Sequence, residues 1–226
     1  MCGRSSLTKT EKEIEKRFHA TFYSEELERY NPLPNYNVAP GSYHPVITNQ
    51  DPEYIHLYKW GLIPFWAKDK KIAYSMINAR AETLMEKPAF KNAFKHNRCI
   101  VPLDGFYEWK NINGQKIPYR ILTSDQAIFS AAGLWDKWVS PEGEIIFTFT
   151  IITVEANAFM QNLHDRMPAI LFPEEEKIWL DNSIKEGDLK SLLDPYPSEL
   201  TTAYRVSKEV NNARNNYPEL INESTD

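Results

Sequence analysis

The chain has 226 residues, of which 42% are hydrophobic and 25% are charged, as in ordinary soluble globular domains. No apolar run approaches the roughly 20 residues of a membrane helix, and the N-terminal residues lack the apolar stretch of a secretory signal. A formal net charge of −5 argues against a uniformly basic nucleic-acid binder. Two cysteines are too few for a disulfide framework, which favours a reducing cytoplasm.

Charge is unevenly distributed along the chain. Residues 59–98 contain nine basic and three acidic residues, which gives a local net charge of +6. Residues 173–200 contain three basic and eight acidic residues, which gives a local net charge of −5. The basic segment could attract phosphate groups although the whole chain is acidic. The alternative is that both segments are solvated surfaces.

The first part of the chain carries signals for helices, a loop and a strand. Thr10 and Glu13 form a capping pattern that predicts a helix over residues 10–18. Residues 31–45 are rich in Pro, Asn and Gly and predict an ordered surface loop. Alternating apolar and polar residues predict a half-buried strand over residues 54–60. Further helices are predicted over residues 78–86 and 88–97, the second with Pro88 in its first turn.

Short strands dominate the chain after Arg98. They are predicted over residues 98–102, 105–110, 117–123, 128–135, 145–154, 169–172 and 201–206, with Asn113-Gly114 as a hairpin turn. Helices are predicted over residues 155–163, 173–181 and 186–193. The pattern predicts a single α+β domain over residues 1–226, with a mainly antiparallel sheet curled into a barrel-like core, peripheral helices and a loose tail of about ten residues.

Cys2 is the first candidate for chemistry. Removal of Met1 would leave an α-amine, with a pKa of about 7.7–8.0, beside a thiol with a pKa of about 8.5. The amine can condense with an aldehyde to an imine, and the thiol can then close a thiazolidine ring in an intramolecular step. The alternative is that Cys2 lies in a frayed terminus. Gly3 and Arg4 favour a site, since glycine permits close backbone approach and arginine can bind phosphate.

Three internal stretches carry further candidates. Asn78 and Arg80 lie two residues apart at a predicted helix start, which suits the binding of an anion. Glu108 lies among aromatic residues, where burial would raise the pKa of its carboxyl group and make it a general acid or base. His164 is followed by Asp165, which offers a carboxylate neighbour at a predicted helix-to-strand junction.

Each of these candidates also has a structural interpretation. Asn78 could cap a helix, and His164 could be an ordinary surface residue. Glu108 could pair with Arg98 or Arg120. A metal site is not predicted, because the five histidines show no ligand spacing and two cysteines are too few for a structural zinc.

Seven ordered motifs together resemble the SRAP family, the proteins named for an SOS-response-associated peptidase. They are MCGR at residues 1–4, YNVAP at 36–40, WGLIP at 60–64, NARAET at 78–83, RCIVPLDGFYEW at 98–109, HDRMP at 164–168, and Val206-Ser207 followed by Val210 and Asn212. The motifs span nearly the whole chain in order, so the resemblance is specific although each motif alone is weak. The fold of the family agrees with the α+β prediction.

The resemblance implies recognition of abasic sites in single-stranded DNA. The mature N-terminal cysteine would form a thiazolidine crosslink with the ring-opened sugar aldehyde. Carried over to this chain, Cys2 is the nucleophile and Asn78 positions it. Glu108 assists sugar ring opening and proton transfer around the imine, and His164 steadies the sugar and assists the ring chemistry. The older label of the family is an autopeptidase that removes its own Met1, which adds a protease activity.

The resemblance also implies a set of DNA contacts. Those to phosphates or the DNA backbone are assigned to Arg4, Asn37, Arg80 and Thr153. A wedge that bends the strand and stacks on bases is assigned to Pro40 and Trp66. This chain departs from the family pattern at Trp66-Ala67, where family members can carry two consecutive tryptophans. One stacking surface of the family is therefore missing.

The expected partner is single-stranded DNA that contains abasic sites, and neither a cofactor nor a membrane is implied. A cytoplasmic monomer, associated with the nucleoid when bound to DNA, is expected. Two alternatives stay open: an N-terminal-nucleophile amidohydrolase such as a glutamine amidotransferase, and a non-catalytic module that binds single strands. Amidotransferases also begin Met-Cys-Gly, but Arg4 stands where they usually carry an apolar residue.

Overall fold

The computed structural model describes residues 2–30 and 32–224, so Met1, Asn31, Thr225 and Asp226 lie outside the described residues. Its strands are β1 Ser5–Leu7, β2 Thr21–Phe22, β3 Asn35–Val38, β4 Tyr43–Thr48, β5 Asp51–Trp60, β6 Asn78–Arg80, β7 Arg98–Leu103, β8 Gly105–Ile112, β9 Gln115–Thr123, β10 Phe129–Val139, β11 Ile145–Glu155, β12 Arg166–Pro168, β13 Ile170–Leu171 and β14 Thr201–Arg205. Its α-helices are α1 Glu11–Phe18, α2 Ser24–Tyr30, α3 Pro88–His96, α4 Pro173–Leu180 and α5 Glu186–Lys190. Short 3-10 helices cover Lys70–Ser75, Ala81–Thr83, Met160–Asn162, Ser198–Leu200, Lys208–Asn211 and Pro218–Ile221.

Within the described residues, five strands close into a barrel. Antiparallel pairs run in the order β11, β10, β7, β4 and β5. A parallel pair of β5 with β11 closes the circle, with Lys59 opposite Thr148 and Trp60 opposite Phe149. Closure leaves these strands without free edges, and the ring of Phe149 is fully buried inside the core. The predicted α+β fold with a barrel-like, mainly antiparallel core is therefore confirmed.

A second sheet continues from the barrel and carries the N-terminus. Its strand order is β14, β9, β8, β1 and β3, and β8 begins two residues after the end of β7. Ser5 in β1 lies opposite Phe106 in β8 on one side and Val38 in β3 on the other. The residues before Ser5 are thereby led along β8 toward Glu108.

Elements with strong local signals form as predicted. Thr10 and Glu13 make a reciprocal capping box at the start of α1, and Pro88 opens α3. Asn113 and Gly114 both have positive φ, at 51° and 81°, as a tight hairpin turn between β8 and β9 requires. Local hydrogen bonding and backbone preference are sufficient to determine these features.

Three predicted stretches are wrong, and long-range pairing explains each. Residues 78–86 are not a helix: β6 pairs in parallel with β11, and only a short 3-10 helix follows it. The predicted loop over residues 31–45 contains β3 and the start of β4, which pair with β1 and β5. Residues 155–163 are not a helix, because Glu155 continues β11 and only Met160–Asn162 is helical.

The C-terminal segment packs against the second sheet in place of the expected loose tail, as far as residue 224. Val206 pairs with Glu223, and the backbone N–H of Ser224 donates to the carbonyl of Arg205 at 2.8 Å. Leu220 is buried. The last described residues therefore belong to the folded body.

Candidate functional site

The N-terminal backbone is held between two strands. The amide of Tyr107 in β8 donates to the carbonyl of Arg4 at 2.9 Å, which extends the β1–β8 pairing toward the terminus. Asn78 in β6 donates from Nδ2 to the carbonyl of Cys2 at 2.9 Å. The Cys2 side chain is fully buried. The frayed terminus considered from the sequence is therefore not what residues 2–4 adopt.

Cys2 and Glu108 influence each other electrostatically. Burial raises the pKa of the Cys2 thiol well above its usual range, and the negative charge of Glu108 raises it further. The N-terminal segment before β1 runs along β8 toward Glu108. The pairing of β1 with β8 explains the proximity, because each step back from Ser5 toward Cys2 is a step forward from Phe106 toward Trp109.

Glu108 is a buried carboxyl group with a strongly shifted pKa. Its residue is 4% exposed, and burial raises the pKa from 4.5 to about 7. Arg120 is engaged elsewhere, because it pairs with Asp104 at 3.0 Å. Arg98 is also engaged elsewhere and donates to the backbone carbonyls of Phe94, Lys95, Trp179 and Asp181. The structural interpretation of Glu108 as an ion-pair partner of either arginine is therefore wrong.

His164 lies at the same site on the segment before β12. Its Nδ1 accepts a hydrogen bond from the backbone N–H of Arg166 at 2.9 Å, and a carboxylate oxygen of Asp165 lies 2.8 Å from the same nitrogen. Partial burial lowers the pKa of the imidazole, so the neutral form is favoured near pH 7. The Arg166 amide and the Asp165 carboxylate both lie at Nδ1, so they orient the imidazole ring at the cleft.

An open cleft brings Glu108 and His164 together. It has a volume of about 510 Å³. Its lining residues are Glu108, Trp109, Lys116, His164 and Asn211. Sequence reasoning missed the contributions of Trp109, Lys116 and Asn211. The predicted hairpin turn could have indicated Lys116, because it pairs Lys116 with Asn111, which is two residues beyond Trp109. Asn211 comes from the distant C-terminal segment and has no such local signal.

Asn78 occupies a strand end rather than a helix start. Its Nδ2 also donates to the carbonyl of Ile77 at 2.8 Å, so the amide orientation is fixed by two acceptors. Its Oδ1 is buried and accepts no hydrogen bond within the described part of the chain. A buried acceptor without a donor costs about 1–3 kcal/mol. Its position beside Cys2 makes it a ready acceptor for an N–H group there.

Arg80 and Thr153 are neighbours across the β6–β11 pair. They lie directly opposite each other, with Arg80 exposed and Thr153 buried. Arg166 connects the segments around this strand pair. Its guanidinium donates to both carboxylate oxygens of Glu82, at 2.7 and 3.0 Å, and to the carbonyl of Thr153 at 2.6 Å. A depression of about 420 Å³ is lined here by Arg80, Asp165 and Arg166, next to the His164 segment.

Arg4 and Asn37 are engaged within the protein. Arg4 donates to Oδ1 of Asn37 at 2.8 Å and to the carbonyl of Val210 at 2.6 Å. Asn37 is buried, and its Nδ2 donates to backbone carbonyls of Val210, Asn212 and Asn215. These contacts fix the C-terminal segment, and this segment places Asn211 in the lining of the cleft. The geometry therefore gives Asn37 a scaffolding role, while half-buried Arg4 also lies over the ring of Trp109 at 5.9 Å.

Pro40 and Trp66 lie on loops outside the cleft. Pro40 is partly exposed in the turn between β3 and β4, and the side chain of Trp66 is 48% exposed in the loop after β5. Neither lines the cleft of Glu108 and His164. Their assignment to DNA stacking stays a prediction.

No group of three or more His, Cys, Asp or Glu side chains in residues 2–30 and 32–224 could hold a metal ion. In the same part of the chain, no helix is both long and apolar enough to cross a membrane.

Comparison with known proteins confirms the predicted family resemblance. A family model described as SOS response associated peptidase (SRAP) matches residues 1–213. The chain is 46% identical over 224 residues to the abasic site processing protein YoqW of Bacillus subtilis, covering 98% of this chain and 99% of that one. It is 33% identical over 264 residues to the abasic site processing protein HMCES of Xenopus tropicalis, covering 98% of this chain and 78% of that one.

Solved structures share the fold. A crystal structure of a protein from Bacteroides thetaiotaomicron superposes with a TM-score of 0.90 at 32% identity, covering 99% of this chain and all of that one. The fold and the site define a class of α+β proteins in which a closed barrel carries an attached sheet that holds an N-terminal cysteine near a buried glutamate. Within that class, the chain belongs to the SRAP family.

Proposed function

We propose that this protein processes abasic sites in single-stranded DNA by forming a covalent bond to the lesion through Cys2. The observation that carries the proposal is the β1–β8 register, which brings the buried Cys2, held at its carbonyl by Asn78, toward Glu108, a carboxyl group of raised pKa that lines an open cleft. Relatives that cover nearly the whole chain are named abasic site processing proteins, which supports the same substrate here.

The proposed reaction needs removal of Met1. The α-amine of Cys2 then adds to the aldehyde carbon of the ring-opened sugar, and loss of one water molecule gives an imine. The Cys2 thiol adds to the imine carbon, and its proton ends on the nitrogen, so a thiazolidine forms with one water as the only by-product. The second step is favoured because both nucleophiles belong to one residue. The peptidase label of the family fits self-removal of Met1 as part of this proposal.

Glu108 is suited to the proton transfers. With a pKa of about 7 it is present in both forms near neutral pH, so it can donate a proton to the sugar ring oxygen and accept one from the attacking amine. His164 would steady the sugar, because its ring lines the cleft and is oriented by the Arg166 amide. Asn78 acts as a positioning residue, with Oδ1 as acceptor for the Cys2 amine.

DNA contacts flank this centre in the proposal. Exposed Arg80 is placed to pair with a phosphate, with Thr153 opposite it in the neighbouring strand. Trp66 and Pro40 would contact bases, while Arg4 and Asn37 would act mainly by holding the wall of the cleft. No cofactor takes part, since both nucleophiles and the acid–base group come from the chain itself.

The alternatives from the sequence make different predictions. A glutamine amidotransferase would hydrolyse glutamine, and membership of the SRAP family favours abasic-site processing over that activity. A non-catalytic binding module would hold single strands reversibly, with a strong dependence on salt. Its complexes would not survive denaturation.

The test is incubation of the purified protein with single-stranded DNA that contains one abasic site, followed by a denaturing gel. The wild type should give a heat-stable adduct, and Cys2→Ala should give none. Cys99→Ala is the matched control, because Cys99 is a buried thiol in β7 that packs against Gly133 and lies outside the cleft. An adduct with Cys2→Ala, or none with the wild type, would refute the proposal.

A further inference from the structure

The cleft of Glu108 and His164 contains a cation to which the proposed chemistry gives no role. Lys116 is the only lysine or arginine among the described residues that line this cleft. It is exposed and forms no ion pair within residues 2–30 and 32–224. A cation without a charged partner beside a substrate cleft is suited to an anionic part of the substrate.

The register of the β8–β9 hairpin determines where Lys116 lies. It is opposite Asn111, and Asn111 is two residues from Trp109, so the three side chains share one face of the hairpin. Lys110 is opposite Ile117 and belongs to the other face. This alternation explains why Lys116 lines the cleft and Lys110 does not.

Asn211 adds hydrogen-bond donors to the same part of the cleft. The indole Nε1 of Trp109 donates to Oδ1 of Asn211 at 2.7 Å. Because an indole N–H group can only donate, this contact determines which end of the amide faces the ring. The Nδ2 group of Asn211 makes no hydrogen bond within the described part of the chain, so its donors remain for a ligand in the cleft.

The segment around Asn211 is anchored on both sides. Arg4 donates to the carbonyl of Val210 at 2.6 Å, and Nδ2 of Asn37 donates to the carbonyl of Asn212 at 3.0 Å. The two donors come from the residue before β1 and from β3, so they tie this segment to the second sheet. A donor that is already fixed in place lowers the entropy cost of binding a ligand.

Arg80 and Lys116 lie on the two sides of the N-terminal segment. Cys2 is held from β6 by Asn78, whereas the residues that follow Cys2 pair with β8. Arg80 ends β6, and Lys116 belongs to the hairpin that β8 begins. The depression at Arg80 shares no lining residue with the cleft at Lys116. The site therefore has a separate cation on each of its two flanks.

We propose that Lys116 and Asn211 form a phosphate subsite that binds the phosphodiester on one side of the abasic sugar, while Arg80 meets the phosphodiester on the other side. A sugar within a strand carries one phosphodiester at its 5′ carbon and one at its 3′ carbon, which matches the two flanks of the site. Ammonium and amide N–H groups are ordinary donors to phosphate oxygens. The inference rests on the proposed function, because it places the abasic sugar at Cys2.

Neutral replacement of single phosphates tests the subsite. Three single strands carry the same abasic site: one has native phosphates, and the other two each have one methylphosphonate, on the 5′ or the 3′ side of the lesion. Full-length Lys116→Gln, Asn211→Asp and Arg80→Gln proteins are compared with the wild type by single-turnover crosslinking at subsaturating concentrations. Lys110→Gln is the matched control, because Lys110 belongs to the same hairpin and does not line the cleft.

We expect Lys116→Gln to slow crosslinking of the native strand by about fivefold and to reduce the dependence of the rate on salt by about one phosphate contact. On one methylphosphonate strand this variant should match the wild type, because the charge that Lys116 meets is already absent. Arg80→Gln should lose its effect only on the other methylphosphonate strand.

Two further variants separate the subsite from the fold. Asn211→Asp keeps an acceptor for the indole of Trp109 but places a carboxylate in the subsite, so it should slow the native strand at least as much as Lys116→Gln. Lys110→Gln should match the wild type on all three strands. The melting temperature of Lys116→Gln should be unchanged, because the residue is exposed.

Several results would overturn the subsite. They are an unchanged rate for Lys116→Gln on the native strand, an equal loss on all three strands, and dependence of Lys116 and Arg80 on the same phosphate. A loss as large with Lys110→Gln would show a general effect of charge instead. If the wild type forms no adduct, the proposed chemistry fails. The same proteins and strands are then compared by fluorescence anisotropy, where the same pattern of losses decides for or against the subsite.

Discussion

Asp104 and Glu108 are buried carboxyl groups four residues apart, and their surroundings differ in the hydrogen-bond donors and charges that they provide. Asp104 accepts hydrogen bonds from Ser6, from Thr8 and from the guanidinium of Arg120 at 3.0 Å. Glu108 is buried to a similar degree, but burial dominates its surroundings and raises its pKa to about 7. One carboxylate is paired with a cation, and the other has no such partner among the arginines and has its pKa raised by burial.

The difference shows how one pair of strands serves both stability and chemistry. The Asp104 cluster ties β1 to β8 and β9, because Ser6 and Arg120 come from the two strands beside β8. Gly105 makes room for this cluster, since a Cβ there would lie 2.8 Å from Nε of Arg120. The register that the cluster secures is the one that brings Cys2 to Glu108.

The largest expected effect is on stability, at Asp104. Asp104→Ala leaves the Arg120 guanidinium buried without its carboxylate, and we expect a loss of about 3–5 kcal/mol in the free energy of unfolding. Urea denaturation measures it. The double variant with Arg120→Met should recover part of the loss, because it also removes the buried charge. A loss below about 1 kcal/mol for Asp104→Ala would show that the cluster is not structural.

The pH dependence of stability should report on Glu108. Its folded-state pKa of about 7 lies above the ordinary 4.5, so the folded protein holds this proton to higher pH than the unfolded chain. Ionisation of Glu108 therefore opposes folding. Its contribution to the free energy of unfolding decreases by about 3 kcal/mol between about pH 4.5 and about pH 7 and is constant above that range. Glu108→Gln should lack this component in urea denaturation across the range. Parallel profiles for the two proteins would contradict the assignment.

Glu108→Gln should also separate chemistry from binding. We expect the crosslinking rate to fall by about a hundredfold, since general acid–base groups contribute at least that much. Affinity for undamaged single strands should be nearly unchanged, and stability at neutral pH should not decrease. Single-turnover gels and anisotropy measure the two quantities. Equal losses in rate and affinity would indicate that Glu108 is structural.

Local sequence signals predicted the elements that need no distant partner. The Thr10–Glu13 capping box and the Asn113-Gly114 turn each form within a few residues, so the local sequence is sufficient to predict them. Residues 78–80 have good helix formers on their C-terminal side, yet pairing with β11 buries Ala79 and makes them a strand. Propensity is a weak prior where tertiary pairing competes with it.

For the candidate site, the sequence likewise predicts which residues take part but not how they come together. Chemistry and motif resemblance predict Cys2, Glu108 and His164 as site residues, but their juxtaposition depends on the register of β1 with β8 and on the backbone contact of Arg166 with His164. Asn211 reaches the cleft through the C-terminal segment, which the buried Asn37 holds. Pairing and capping across such distances leave no periodic signal in the sequence.

The central claim is that both nucleophilic atoms of Cys2 bind the abasic sugar. Mass spectrometric mapping of the adduct with abasic single-stranded DNA tests it most directly. We predict a modified peptide that lacks Met1, begins at Cys2 and resists thiol alkylation until the thiazolidine is hydrolysed. An adduct on another amine such as Lys116, which also lines the cleft, or an adduct whose Cys2 thiol is still free, would contradict the account.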